Sequence, residues 1–241
     1  MEQHQAPATG QVIYGPVTSV RTFLSHVFAY MATALVISGA MAWLFGTSAE
    51  LFTMLRDAVT GSPTILGWVV MLAPLGLVFV MGGMVEKMSG TLLLAVFIVY
   101  SALTGMSLSY IFWIYKLASV GKVFFMSAGV FGLMAVAGYT TKTDLTKLGS
   151  LLFIGLIGIV VASLVNMFMG SSTIDYVISI LGVVIFTGLT AYDMQRLKRL
   201  GDVVATGTEA AQKMALMGAL SLYLDFINLF LMLLRLFGRR D

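Results

Sequence analysis

The chain has 241 residues, 59% of them hydrophobic and 10% charged, with a net charge of +3. A soluble domain carries roughly 25% charged residues, so this much apolar surface excludes a water-soluble core and places the chain in a bilayer. The absence of cysteine excludes disulfides and thiolate metal sites, and the scattered positive charge, with no basic tract, excludes nucleic acid as a partner.

Residues 1–21 read as a polar N-terminal tail without the basic start and cleavage site of a signal peptide. Residues 22–241 read as a single transmembrane domain of seven helices, an all-α membrane protein. A helix crossing the hydrocarbon needs roughly 20 mostly apolar residues, and such runs fall at 22–45, 64–85, 91–115, 121–140, 149–169, 175–196 and 214–236. The first is expected to act as an uncleaved signal anchor. Short breaks separate the runs: GSP at Gly61, EKMSG at Glu86, KTDLTK at Lys142 and GSSTID at Gly170. The break from Arg196 to Lys213 is longer, polar and expected to be partly helical.

The distribution of positive charge sets the expected orientation. With the N-terminus cytoplasmic, the inner segments hold Arg21, Lys87, Lys142, Lys147, Arg196, Lys198, Arg199 and Lys213, and the outer loops hold Arg56, Lys116 and Lys122. Seven spans leave Arg235, Arg239 and Arg240 outside. A re-entrant last segment is the alternative that returns them to the cytoplasm. Small residues recur four apart at Ser101/Gly105/Ser109 and Ala128/Gly132, a spacing that lets helix backbones approach closely in lipid. The 17 Met read as apolar filler.

Two carboxylates interrupt the apolar pattern. Asp193 lies in LTAYDMQRLK and Asp225 in LYLDFINLF, and a charge at the bilayer centre costs roughly 2.5–3.5 kcal/mol on insertion scales. Helical spacing puts Ser221, Asp225, Asn228, Met232 and Arg235 on one face, and Thr187, Thr190 and Asp193 on another. Two such stripes suggest facing helices around a polar space. The bland alternatives are an Asp193 that snorkels beside Arg196 and an Asp225 bonded to neighbouring hydroxyls. The depths of the two acids match only if the sixth helix continues towards Leu200 and the seventh begins before Met214. Two acids in one dry site cannot both ionise cheaply, so they titrate as a pair. Ionised, they offer oxygen ligands to a hard cation such as Ca²⁺.

GLTAYDMQRLK followed by GALSLYLDFINLFLMLLRLFG resembles the Bax inhibitor-1 family in its bacterial branch, as do GYTTKTDL and the region from LVFVMGGMVEKMSG to SALTGMSLSYIF. The resemblance implies a seven-helix bundle with the last helix at its centre, in a bacterial inner membrane. It implies a pH-sensitive calcium leak, with calcium as permeant ion and no cofactor, and a role in calcium homeostasis and stress survival. Asp193 and Asp225 fall on the family's di-aspartyl sensor and ion path, where they would hold calcium only transiently. Thr190, Tyr192, Ser221 and Asn228 are the expected supporting residues. In the family's channel picture an arginine at the cytoplasmic end of the second helix latches the first aspartate. Met84 stands there in this sequence, leaving Glu86 and Lys87 as the nearest candidates for a latch.

Two other classes compete. The family also contains non-transporting proteins that bind and restrain a membrane-embedded ATP-dependent protease; here the N-terminal tail and the Arg196 to Lys213 stretch are the candidate partner surfaces. Intramembrane aspartyl proteases also pair two aspartates and place a tyrosine before the first, as Tyr192 precedes Asp193. Their second aspartate needs small neighbours, however, and Asp225 sits in bulky LYLDF. His4 and His26 are the two histidines, and neither lies in a zinc or serine-hydrolase motif. The sequence reading is therefore of a non-enzyme.

Overall fold

The computed structural model describes residues 20–57, 59–204 and 207–240. Most of the N-terminal tail, including His4, lies outside them. Among the described residues seven helices are long and apolar enough to cross a membrane: α1 (Val20–Thr47), α3 (Ile65–Met84), α4 (Gly90–Leu108, continued by the single turn α5, Ile111–Ile114), α6 (Leu117–Thr140), α7 (Thr146–Met169), α8 (Ser172–Gly201) and α9 (Glu209–Phe237). A short helix, α2 (Ala49–Leu55), caps the α1–α3 connection. The protein is an all-α membrane protein.

Local sequence explains where these helices begin and end. Ser48, Thr64, Ser89, Ser171 and Thr208 each sit at an N-cap and accept a backbone N–H three residues on, as short hydroxyl side chains do best. Gly170 closes α7 at φ 64°, a conformation open to glycine at no steric cost. The third expected span is interrupted between α4 and α5. There the Phe112 and Trp113 amides bond to Ser109 and Tyr110 carbonyls three residues back, a tighter turn than the α-helix permits.

The last two spans are longer than their apolar runs. α8 continues through Arg196, Lys198 and Arg199 to Gly201, and α9 starts at Glu209, five residues before Met214. Charge ends a hydropathy window but not a helix, since Arg, Lys, Glu, Gln and Ala are all good helix formers. Both helix extensions expected to bring the two aspartates to one depth are thus present, although the register of α8 on α9 still leaves Asp225 one turn deeper. α9 is one unbroken helix of 29 residues, about 43 Å long at 1.5 Å per residue, so it is not re-entrant and the two ends of the bundle carry opposite termini.

α9 is the central helix. It packs against α1, α4, α6 and α8, and 67% of its most apolar stretch is buried, against 11% for α7. α7 and α3 present apolar residues outwards, among them Ile154, Val161 and Phe168, and Leu72 and Phe79, as helices facing lipid do. A polar knot ties the centre together. Ser38 of α1 donates to the Ser101 carbonyl of α4 at 2.7 Å, and Tyr223 of α9 meets Ser38 Oγ at 2.6 Å. Beside it α1 and α4 approach so closely that a β-carbon on Gly105 would lie 2.8 Å from Ser38 Cα.

Candidate functional site

α8 and α9 are antiparallel, and two contacts fix their register. A β-carbon on Gly182 would lie 2.7 Å from Met232 Cγ, and one on Gly218 would press on Leu197 Cδ2. Counting inwards from these pairs puts Asp193 level with Ser221 and Asp225 level with Thr190. The two acids are therefore offset by one helical turn, about 5 Å along the axis.

Asp193 lines a crevice of about 640 Å³ at one end of the bundle, together with Glu86, Arg196, Glu209, Lys213 and Ser221. Its carboxylate is buried and lies 3.7 Å from the exposed guanidinium of Arg196, a Coulombic pairing too long for a hydrogen bond. The cation beside Asp193 thus comes from its own helix, three residues on. Glu86 faces the same crevice, whereas Lys87 is exposed and does not line it. The crevice mouth is tied across by Glu209, which accepts the Gly90 amide at 2.8 Å and pairs with Lys213 at 3.5 Å. In the sequence Glu209 and Lys213 belonged to the stretch read as a candidate partner surface, and nothing there placed them at the mouth of the Asp193 crevice.

Asp225 lies one turn deeper, outside the crevice lining, and is buried. Its Oδ2 is buried without a hydrogen-bond partner, as is Oγ1 of Thr187 on α8. These are the two orphaned buried side-chain oxygens among the described residues, and both belong to the polar stripes seen in the sequence.

The supporting residues divide. Ser221 joins Asp193 in the crevice. Thr190 and Asn228 bond back to their own helices, at the Phe186 and Leu224 carbonyls, both at 2.8 Å. Tyr192 turns the other way, onto α7, where its ring covers Gly149. Next to Asp193, Gln195 holds the 141–145 connection: it accepts the Leu145 amide at 2.9 Å and donates to the Thr143 carbonyl at 2.8 Å. Arg199 extends this clamp to Asp144 at 2.7 Å. The Thr146 hydroxyl, and then Arg199, hold the exposed Asp144 carboxyl below the usual carboxylate range. Gln195 and Arg199 could have been suspected from their place beside GYTTKTDL only once the connection was known to fold back.

A second crevice, of about 630 Å³, opens at the opposite end of the bundle and is again lined by α8 and α9, from Ser172 to Ser179 and from Leu231 to Arg235. Between the crevices α9 runs from Ser221 to Leu231, about 15 Å at 1.5 Å per residue, through side chains of which none is exposed and six of the nine between those two residues are buried. Asp225 sits within this closed stretch. No group of three or more His, Cys, Asp or Glu side chains able to hold a metal occurs among the described residues.

Residues 20–241 match the family described as Inhibitor of apoptosis-promoting Bax1. The chain belongs to the Bax inhibitor-1 family. Among its relatives is the inner membrane protein YbhL of Escherichia coli K12, 43% identical over 95% of this chain and 96% of that one. An uncharacterized protein of Borreliella burgdorferi is 46% identical over 90% of this chain and 92% of its own. One of Rickettsia prowazekii is 42% identical over 92% and 91%. The match covers all seven helices and both aspartates. With seven apolar spans and an inner-membrane relative of the same extent, the protein is an integral protein of the inner membrane.

Proposed function

We propose that this member of the Bax inhibitor-1 family is a pH-sensitive calcium leak, with its N-terminus cytoplasmic, in which Asp193 and Asp225 are the sensor and the innermost oxygen ligands on the ion path. It is a transport protein and not an enzyme. The observation that carries this reading is the orphaned Oδ2 of Asp225, one turn behind a crevice-lining Asp193. A buried polar atom left without a partner is costly and calls for an explanation. A proton shared with Asp193, a water or a passing hard cation would each satisfy it. The Asp193 crevice adds to the argument, since Asp193, Glu86 and Glu209 outnumber Arg196 and Lys213 among its lining residues, and an acidic cleft concentrates cations.

Protonated, the pair can share a hydrogen bond across α8 and α9; ionised, the two acids repel each other and draw in water. Protons and calcium compete for the same oxygens, so calcium flux should fall as pH drops. The test is uptake of radioactive calcium into proteoliposomes as a function of pH. Asp193→Asn and Asp225→Asn should each flatten the response, because an amide does not change charge. A full pH response in the double variant would place the sensor elsewhere. A wild-type protein that passes no calcium at any pH would refute the leak and leave the protease-restraining reading.

A further inference from the structure

The crevice at the end opposite Asp193 has a chemistry of its own that the transport reading does not use. Two guanidinium groups line it, Arg235 and Arg240, with the hydroxyl-bearing rings of Tyr110 and Tyr115. Arg240 lies over the Tyr115 ring at 5.9 Å. One carboxylate shares the lining, Asp175, and it already accepts Asn166 Nδ2 at 2.7 Å. Positive charge is therefore in excess, and it is arranged around an opening of about 630 Å³, a size that suits a ligand well beyond a single ion.

The position of Arg240 is constructed. Chain ends ordinarily fray unless something ties them down. Here the residues after α9 fold back as a strap: the Lys116 amide donates to the Arg239 carbonyl at 3.0 Å, and the Arg239 amide donates to Ser119 Oγ at 2.9 Å. Tyr115 and Arg240 pair as an antiparallel bridge. Gly238 makes the fold-back possible, since a β-carbon there would lie 2.6 Å from the Tyr115 ring. The strap turns Arg240 towards the crevice, beside an Arg235 that the last turn of α9 already presents.

The depth of the crevice identifies its ligand. α5, α7 and α9 end at it, and α6 and α8 begin at it, so it lies where spans leave the hydrocarbon. Exposed apolar side chains, Ile114 of the lining and nearby Phe237, border the guanidinium groups. A phosphate oxyanion matches the guanidinium fork in geometry and charge. An apolar border beside such a fork fits a phosphate that carries acyl chains. We propose that this crevice binds the phosphate-bearing headgroup of an anionic phospholipid, with Arg235 and Arg240 as its two anchors.

The test uses the full chain purified in uncharged detergent, with bound lipid counted by native mass spectrometry during titration with phosphatidylglycerol or phosphatidylcholine. Phosphatidylglycerol should bind preferentially. A basic side chain near an anionic lipid contributes a factor of roughly five, so Arg235→Gln and Arg240→Gln should each weaken binding roughly fivefold and together roughly thirtyfold. Lys147→Gln, an exposed residue at the other end of the bundle, should change nothing. Arg235→Lys keeps the charge without the fork and should retain an intermediate preference, which separates lost recognition from lost folding. Equal binding of the two lipids overturns the proposal, as does an unchanged preference in the double variant. So does displacement of phosphatidylglycerol by millimolar inorganic phosphate, which would assign the crevice to a free anion. None of these readouts depends on calcium transport.

Discussion

Gly138→Ala tests how closely α6 holds the helix that carries Asp193. A β-carbon on Gly138 would lie 2.8 Å from both Cα and the carbonyl carbon of Ala191 and nearer still to the carbonyl oxygen. Ordinary contact begins at 3.4 Å, so the two helices must part locally by at least about 0.6 Å, the shortfall between those distances. The atoms in the way are backbone, and no rotamer change relieves them. Overpacking of this kind costs about 1–3 kcal/mol. Gly132 on the same helix is the control, because a β-carbon there meets nothing within 4 Å. Both changes gain the same intrinsic helix propensity, which leaves the contact as the difference between them. Equilibrium unfolding in mixed micelles should therefore show Gly138→Ala destabilised and Gly132→Ala neutral or slightly stabilised. Two variants within about 0.5 kcal/mol of each other, the usual range for surface changes, would refute the claim that α6 and α8 meet backbone to backbone at this point.

Tyr223→Phe removes one bond of the central polar knot. Ser38 already donates to the Ser101 carbonyl, so the Tyr223 hydroxyl must donate to Ser38 Oγ, and its loss should cost about 0.5–1.5 kcal/mol in the same unfolding assay. Gln195→Ala leaves the Leu145 amide and the Thr143 carbonyl without their partner, and hydrogen exchange at Leu145 should accelerate about tenfold, as expected for a lost bond worth roughly 1.4 kcal/mol. Asp144 gives a pH prediction whose sign follows from its depressed pKa. Its clamp on Arg199 and Thr146 is complete above the ordinary aspartate value of about 3.9 and is lost as pH falls through the lower folded value. Exchange in the 141–145 connection should consequently be insensitive to the titration of Asp144 between about pH 5 and 8 and rise only in strong acid.

The helix count and the order of the spans were legible because length and apolarity alone define a span, whereas the central place of α9 was implied only by the family resemblance. The ends of the spans were less legible. Arg196 and Lys213 mark where charge resumes, yet α8 and α9 run on past them, since propensity and not hydropathy decides where an exposed helix stops. The small-residue spacing was half informative. Gly105 does receive α1, but on α6 the packing face runs through Ser127, Phe131, Ala135 and Gly138, one residue away from Ala128/Gly132. A spacing of four names a helix face only to within a residue, and the partner helix makes the choice. The stripes of Asp193 and Asp225 were visible for the reason they are costly, as polar atoms in an apolar run. The tertiary partners were not visible. Glu209 reaches Gly90 and Gln195 reaches Thr143 across 119 and 52 residues, and no local pattern encodes such contacts.

The way α8 is held bears on how a path between the two crevices would open. α6 meets it backbone to backbone at Gly138 and Ala191, and α7 meets it where the Tyr192 ring covers Gly149 and Leu152 covers Gly188. These contacts are distributed along the length that carries Asp193, so moving α8 as a body disturbs both neighbours at once. Its contacts with α9 at Gly182 and Gly218, like those with α7, are made by side chains and not by backbone. There the facing atoms are the Met232 and Leu197 side-chain ends, which shift by rotamer changes at low cost. Yet α9 is also held by α1 and α4 through Tyr223, two residues from Asp225. On the proposed reading, repulsion between ionised Asp193 and Asp225 acts across the more yielding of these interfaces, and the resistance it must overcome lies in the Ser38–Tyr223 knot on the far side of α9.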